Sequence, residues 1–171
     1  MIKPLIVKPE PVEGTWSSIP RSLPTLPWIN ATLQSGNDVV AAAFKPDIKR
    51  SGNYSVSIYT PGCVQDETCP MRGRVRITPV LARSGDMGSC GEEVYELSQT
   101  NNLDTINRVY VGWVDRSAID WTPTLKLTSL NGQSFPLAIV AQAASFELLP
   151  ADSGGVCEYT RISEDPRAPP K

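Results

Sequence analysis

Residues 51–69 read SGNYSVSIYTPGCVQDETC, and this stretch indicates the fold class. Tyr54, Val56 and Ile58 alternate with other residues, most of them polar, which is the pattern of a β-strand with one buried face. A Ser-Gly-Asn turn precedes the strand, and a Pro-Gly turn follows it. Cys63 and Cys69 then enclose a short polar loop. The stretch therefore predicts a strand between two turns, followed by a loop that a local disulfide would close.

Strand and turn signals continue on both sides of this stretch. Turn residues separate further apolar or alternating segments at residues 39–44, 74–78, 93–97, 108–114, 125–128 and 137–149. The last segment is long enough to bend midway or to form two strands. About eight strands predict an all-β fold, namely a jelly-roll-like β-sandwich. An immunoglobulin-like sandwich is the alternative, but the spacing of cysteine and tryptophan does not fit it.

The two ends of the 171-residue chain are rich in proline. Proline lacks the N–H group that a sheet ladder requires, so residues 1–28 are predicted to be a proline-rich arm with one short edge strand. Trp16 and Trp28 need a place to bury, so we expect the arm to pack on the domain or to lead into it. Residues 29–160 are then the β-sandwich domain, and residues 161–171 are a disordered tail or linker.

Composition excludes several functions. The 16 basic and 18 acidic residues are well mixed along the chain. Nucleic-acid binding normally requires a basic patch, and the sequence shows none. The chain contains no histidine, which removes Ser-His-Asp and Cys-His catalysis and the usual zinc-hydrolase sites. Asp115 and Asp120 flank a loop beside two tryptophans, but turn-capping aspartates explain them better than a glycosidase pair. No enzyme activity and no cofactor are predicted.

The cysteines and sequons indicate the secretory pathway. Four cysteines allow three disulfide connectivities, of which we favour Cys63–Cys69 and Cys90–Cys157. A four-cysteine zinc site and free thiols are the alternatives, and the cysteine spacing disfavours zinc. Asn30 and Asn53 each begin an N-x-[ST] sequon, so both are predicted glycosylation sites. No apolar run reaches the roughly 20 residues that span a bilayer. We therefore expect a fragment of a larger ectodomain that does not itself cross the membrane.

Two ligand sites are conceivable. Exposed aromatic rings can form a flat platform for carbohydrate, and the candidates are Tyr59, Trp113 and Trp121. The competing prediction is that at least three of the four tryptophans belong to the core. Jelly-roll modules also often hold calcium through loop carboxylates, for which the candidates are Asp66, Glu67 and Asp86. Solvated loop acids explain these three residues better, and no metal site is predicted.

Several motifs resemble one family. The segment from Gly52 to Cys63, followed by Gln65-Asp66, Thr68-Cys69 and Arg72-Gly73, is similar to the fungal Rax-type cellular morphogenesis proteins. Those proteins are cortical markers of cell polarity and bud-site choice. Further matches are Gln99-Thr100-Asn101-Asn102, the run from Val109 to Asp115, Pro123-Thr124-Leu125 and Val140-Ala141-Gln142. The resemblance spans roughly residues 30–149.

The resemblance implies one β-rich module of a large type I membrane glycoprotein with propeller-like repeats and a C-terminal transmembrane helix. Cys63 and Cys69 correspond to the family's short cysteine loop. The expected function is a non-enzymatic spacer or protein-interaction surface at growth and division sites, on the extracellular face of the plasma membrane. Expected partners are other modules of the same ectodomain, a multi-pass membrane partner or cell-wall glycan. The alternative function is a lectin-like module that binds cell-wall carbohydrate.

Overall fold

The structure is a computed structural model that describes residues 3–19, 26–36, 38–64, 67–83 and 95–150. These ranges contain twelve β-strands and no helix, so the all-β prediction is confirmed. The strands are β1 (Leu5–Val7), β2 (Pro9–Glu13), β3 (Ser17–Ile19), β4 (Trp28–Leu33), β5 (Ala41–Phe44), β6 (Gly52–Thr60), β7 (Arg74–Val80), β8 (Tyr95–Ser98), β9 (Thr105–Val114), β10 (Thr124–Ser129), β11 (Leu137–Ala141) and β12 (Ala143–Leu148).

The strands form three antiparallel sheets around one hydrophobic core. The β6 sheet has the order β1-β12-β6-β9, the β7 sheet β2-β5-β10-β7-β8, and the β4 sheet β11-β4-β3. Buried side chains from all three sheets, among them Val56, Leu127 and Leu33, belong to one continuous cluster. This arrangement is consistent with the predicted β-sandwich, although it has twelve strands rather than about eight.

Strand β6 follows the alternation that the sequence shows. Tyr54, Val56 and Ile58 are buried, while the residues between them are half-buried on the outer face of the sheet. The neighbouring strand β9 carries a β-bulge, because Val56 pairs with Tyr110 whereas Ser57 pairs with Arg108. The extra residue is Val109, so Val109 and Tyr110 are both buried although they are adjacent.

The long apolar segment near the end of the sandwich does form two strands. Strand β11 pairs with β4, and β12 pairs with both β6 and β1, so the chain changes sheet between Ala141 and Ala143. Gln142 lies at this change, and its Nε2 donates to the carbonyl oxygen of Leu26 at 3.0 Å. Because the chain passes from the β4 sheet to the β6 sheet at Gln142, the apolar residues before and after Gln142 contribute to the same core from two different sheets.

Residues 3–19 contain more strand than we expected of the arm. Strands β1, β2 and β3 add one edge strand to each of the three sheets, by pairing with β12, β5 and β4. The edge position of β2 suits Pro9 and Pro11, because proline has no backbone N–H to donate to a further strand on the open side of the sheet. The boundaries at residues 28 and 160 stay predictions, and the tail at 161–171 lies outside the described residues.

The start of β6 gives a prediction about alkaline pH. Tyr54 donates its hydroxyl to the Arg50 carbonyl oxygen at 2.6 Å, and burial raises the pKa of this phenol above 10.0, with Arg50 opposing the shift. Because the folded state holds the phenol proton more tightly, this stabilisation is complete below the unfolded pKa and is lost as pH rises through the folded pKa. We expect the free energy of unfolding to fall above about pH 10. Urea unfolding of the protein and of Tyr54→Phe across that range checks this, and equal losses in both would contradict it.

Candidate functional site

Arg72 is a buried cation at one end of the sandwich. Its side chain is only 5% exposed, and its guanidinium donates to the carbonyl oxygens of Pro61 and Gln99 at 2.9 and 3.2 Å and to the Thr68 hydroxyl at 2.8 Å. One side chain thus joins the end of β6, the cysteine loop and the residue after β8. We call residues 60–63, 68–72 and 99–104, which these contacts bring together, the Arg72 cluster.

The cysteine loop is part of this cluster. Cys63 and Cys69 form a disulfide with a Cα–Cα distance of 4.8 Å, which confirms that predicted pair. The loop is also held by backbone hydrogen bonds, from Cys63 to the Asn101 carbonyl at 2.9 Å and from Val64 to the Asn102 carbonyl at 3.4 Å. The sequence predicted the disulfide but gave no sign that residues 101–104 bind it.

Gln99 is a second buried polar residue in the cluster. Its Nε2 donates to the Val140 carbonyl oxygen at 2.7 Å, and its Oε1 accepts from the Val140 N–H at 3.0 Å. A side-chain amide therefore replaces a neighbouring strand at the outer edge of β11. Sequence reasoning did not assign this role, although both residues belong to segments that carry the Rax-type resemblance.

The disulfide gives a prediction about stability. Replacing both cysteines, Cys63→Ala with Cys69→Ala, removes a cross-link that spans six residues. The loop-entropy relation then predicts a loss of about 2 kcal/mol in the free energy of unfolding. Urea unfolding of the double variant and of the unmodified protein, both without added reductant, measures this loss. An unchanged free energy would show that the hydrogen bonds alone hold the loop.

The predicted aromatic residues lie in two places. Trp113 and Trp121 are joined through Arg83 and Asp115. We call these four residues the tryptophan corner. Trp113 Nε1 donates to Asp115 Oδ1 at 2.8 Å, and Arg83 N donates to Asp115 Oδ2 at 2.6 Å. The Arg83 guanidinium in turn lies 5.3 Å from the centroid of the Trp121 ring, a cation–π distance.

Tyr59 is remote from the tryptophan corner. Asn53 pairs with Trp113, and Tyr59 lies six residues further along the same strand as Asn53. This separation along the strand places Tyr59 about 20 Å from Asn53 and its partner Trp113. The three candidate residues therefore do not form one platform. The expectation that at least three tryptophans are core is wrong, because Trp28 is buried whereas Trp16, Trp113 and Trp121 are half-buried. The indole N–H groups of Trp16 and Trp113 have polar partners near the surface, which keeps part of those rings there.

The acidic candidates that lie within the described residues show no assembled metal or acid–base site. Both oxygens of Asp115 accept N–H groups, and Asp120 is exposed with one oxygen 3.8 Å from Arg83. Among the described residues, no three cysteine, aspartate or glutamate side chains gather as a metal-binding group. The candidates Asp66, Asp86, Cys90 and Cys157 lie outside the described residues.

The two sequon asparagines are on different sheets. Asn53 lies at the start of β6, on the outer face and opposite Trp113. Asn30 lies in β4, the central strand of its sheet, between Ser17 of β3 and Val140 of β11. Both side chains are half-buried.

Comparison with known proteins gives three relatives. The chain is 40% identical over 153 residues to Polarized growth protein L1 of Phoma sp., 30% over 89 residues to Bud site selection protein RAX2 of Saccharomyces cerevisiae, and 37% over 59 residues to Polarized growth protein RAX2 of Candida albicans. The matches cover 85%, 52% and 34% of this chain, but only 11%, 7% and 4% of the respective relatives. The chain therefore corresponds to a small part of much longer proteins.

The match to a protein family covers almost all of the described sandwich. Residues 8–149 match the model of the Rax2 third domain, a range that includes the Arg72 cluster and the tryptophan corner. No solved structure matches the chain. With this family match and the three relatives, the chain belongs to the fungal Rax2 family of morphogenesis proteins, in which it corresponds to the third domain.

Proposed function

We propose that this chain is a non-enzymatic, extracellular module of a fungal polarity marker, and that it presents a protein-interaction surface at growth and division sites. The polarity role follows from the names of the three relatives, which describe polarized growth and bud-site selection. One structural observation supports the interaction role, namely the exposed apolar side chains on the Arg72 cluster and next to it.

Three apolar side chains on or beside this cluster are exposed, namely Val64, Leu103 and Ile106, which are 58%, 75% and 65% exposed. Val64 bonds through its N–H to the Asn102 carbonyl, so it lies beside Leu103, and Ile106 follows three residues later at the start of β9. We call these three side chains the apolar rim. Exposed aliphatic side chains on a rigid, cross-linked support favour a binding role over a solvated loop.

The occupant that we propose for the apolar rim is another module of the same polypeptide. The relative from Phoma matches this chain over only 11% of its length, so most of that protein is available in cis. A contact within one chain benefits from a high effective concentration, which suits a surface of only a few side chains. A separate multi-pass membrane protein is the competing occupant.

Site-specific cross-linking in the full-length protein tests this proposal. A photoreactive residue at Leu103 is expected to give cross-links to other modules of the same polypeptide. The same residue at Ile119, which is fully exposed on a distant turn, is the matched control and is expected to give none. Cross-links to a separate membrane protein, or equal yields at both positions, would overturn the proposed occupant.

We further propose that the module reaches the cell surface through the secretory pathway. The Cys63–Cys69 disulfide and the two sequons support this route. Within the described residues, no helix is both long and apolar enough to span a membrane. Cys90–Cys157 remains the proposed second disulfide. Non-reducing peptide mapping is expected to recover both cysteine pairs, and alkylation of Cys90 in the native protein would contradict the second.

A lectin-like function is a second candidate, because Trp113 and Trp121 do lie near one another. If the tryptophan corner binds carbohydrate, we expect an insoluble wall polysaccharide to retain the unmodified protein. We expect it not to retain the Trp121→Ala variant. Arg83→Gln removes the cation beside the ring and serves as a second variant. No retention of the unmodified protein on any wall polymer would end this candidate.

A further inference from the structure

The pairing of β6 with β9 places a sequon asparagine directly opposite a tryptophan. Asn53 and Trp113 are register partners, and both lie on the outer face of the β6 sheet, since Tyr54 and Val114 are buried on the inner face. Side chains in such a pair have Cβ atoms about 5 Å apart. A group attached to the Asn53 amide nitrogen therefore begins within reach of the indole ring.

The Trp113 ring is held in place by its neighbours. Its Nε1 donates to Asp115, and Asp115 is fixed by the Arg83 N–H. The Trp113 carbonyl oxygen accepts the hydroxyl of buried Tyr110 at 2.6 Å. The ring is half-buried, so part of it remains open to solvent. A fixed, partly open ring can receive a ligand with little loss of side-chain entropy.

We propose that the first N-acetylglucosamine of an Asn53-linked glycan packs on the indole of Trp113. The inference rests on the proposed secretory route, because the glycan must first be attached there. In that step the Asn53 amide nitrogen bonds to C1 of the sugar of a lipid-linked oligosaccharide, the bond from C1 to the phosphate oxygen breaks so that the lipid pyrophosphate leaves, and the nitrogen loses one proton. The C–H face of the pyranose then covers the apolar ring, as an aromatic side chain covers an apolar neighbour.

Asn30 lacks this arrangement, which makes it the internal control. Its register partners are Ser17 and Val140, and neither is aromatic. A glycan on Asn30 has no ring directly opposite its attachment point. The inference therefore distinguishes the two sequons, whereas the sequence motif alone makes them equivalent.

The proposed contact also gives a role to Trp113, one of the two tryptophans of the tryptophan corner. A ring that is covered by a sugar on the same chain is not free to bind wall polysaccharide. The Asn53 glycan would stabilise the start of β6, next to the hydrogen bond from Leu149 N to the Asn53 carbonyl oxygen at 2.8 Å. The aromatic residue then serves the glycan of its own module.

Proton NMR of the 171-residue chain, secreted from a yeast host and trimmed enzymatically to one sugar per site, tests the inference. The ring current of Trp113 is expected to shift protons of the Asn53-linked sugar upfield. The shift is expected to disappear in Trp113→Leu and to persist in Trp121→Leu. Sugar protons at Asn30 are expected to show no such shift. An Asn53 sugar with the same spectrum in the protein and in Trp113→Leu would overturn the inference.

Unfolding equilibria supply a second readout. Asn53→Gln removes the glycan and is expected to raise the unfolding constant about fivefold when Trp113 is present, the size of an aromatic contact. The same change is expected to have no effect in a Trp113→Leu background, and equal effects in both would contradict the inference. An unoccupied Asn53 in the secreted protein would overturn it as well. The Leu103 cross-linking experiment does not depend on Asn53, so either proposal can fail alone.

Discussion

Replacing Arg72 with methionine is expected to lower the free energy of unfolding by about 3 kcal/mol. Methionine fills similar space, but it cannot donate to the Pro61 and Gln99 carbonyl oxygens or to the Thr68 hydroxyl. A buried carbonyl left without a donor costs about 1 to 3 kcal/mol. Because Arg72 joins three separate segments, we also expect the cysteine loop to become more accessible. Urea unfolding measures the first effect, and hydrogen exchange of residues 63–69 and 99–104 measures the second.

Arg74→Met is the matched control, since it removes the same charge two residues away. Arg74 is exposed on β7, where its guanidinium lies 2.8 Å from Glu96. Exposed ion pairs of this kind contribute about 0 to 1 kcal/mol. A loss of that size in Arg74→Met and a much larger one in Arg72→Met would show that the buried hydrogen bonds are the cause. Equal losses in the two variants would contradict the role assigned to Arg72.

Local pattern was sufficient to predict several elements. Strand β6 was predictable because its buried residues are every second residue in the sequence. This alternation is expected of any strand in a sheet with one buried face. The Cys63–Cys69 bridge was predictable because a short polar loop can be closed locally. The division of residues 137–149 into two strands was also expected, since the segment is longer than an ordinary strand.

Long-range pairing is what local pattern could not supply. Nothing around Pro9 or Ser17 indicates that β2 and β3 pair with β5 and β4 in different sheets. The β-bulge at Val109 is likewise set by the register between β6 and β9 rather than by its own neighbours. Such features depend on which strands meet, so a single sequence predicts the fold class more readily than the sheet order.

The candidate site shows the same limit. Trp113 and Trp121 were grouped by residue type, but their link through Arg83 and Asp115 joins three separated segments that the sequence does not connect. Tyr59 was grouped with them by residue type, and its position along β6 separates it from them. The Arg72 cluster was missed for a related reason. A buried arginine and a buried glutamine have no apolar periodicity, so only their contacts reveal their role.

The Arg72 cluster gives physical meaning to the motifs that resemble the Rax-type proteins. Pro61-Gly62-Cys63, Thr68-Cys69, Arg72 and Gln99 to Asn102 are separated in sequence, yet they meet in one hydrogen-bonded unit. Asn101 contributes by donating from Nδ2 to the Leu103 and Thr60 carbonyl oxygens at 2.7 and 3.2 Å. The motifs therefore coincide with one hydrogen-bonded unit that the Cys63–Cys69 disulfide cross-links and that includes Leu103.

Gly62→Ala is expected to destabilise the protein by about 2 to 3 kcal/mol, the upper part of the range of about 1 to 3 kcal/mol for overpacking. A Cβ atom on Gly62 would overlap the Asn102 carbonyl oxygen and lie 2.7 Å from the Leu103 backbone. Backbone cannot give way as a flexible side chain can, and Gly62 N also donates to Asp104 Oδ1 at 2.8 Å. The added methyl group must therefore push residues 102–104 away from the cysteine loop. We expect lower thermal stability and a displaced apolar rim.

Gly36→Ala provides the comparison for Gly62, because a Cβ there meets the Phe135 ring at an ordinary 3.6 Å. This variant is expected to unfold at the same urea concentration as the protein or at a slightly higher one, since alanine restricts the unfolded chain. If Gly62→Ala behaved like Gly36→Ala, the close approach of the two loops would not be needed for stability. If it destabilised the protein and also abolished cross-linking from Leu103, the packing of Gly62 would be what holds the apolar rim in its binding position.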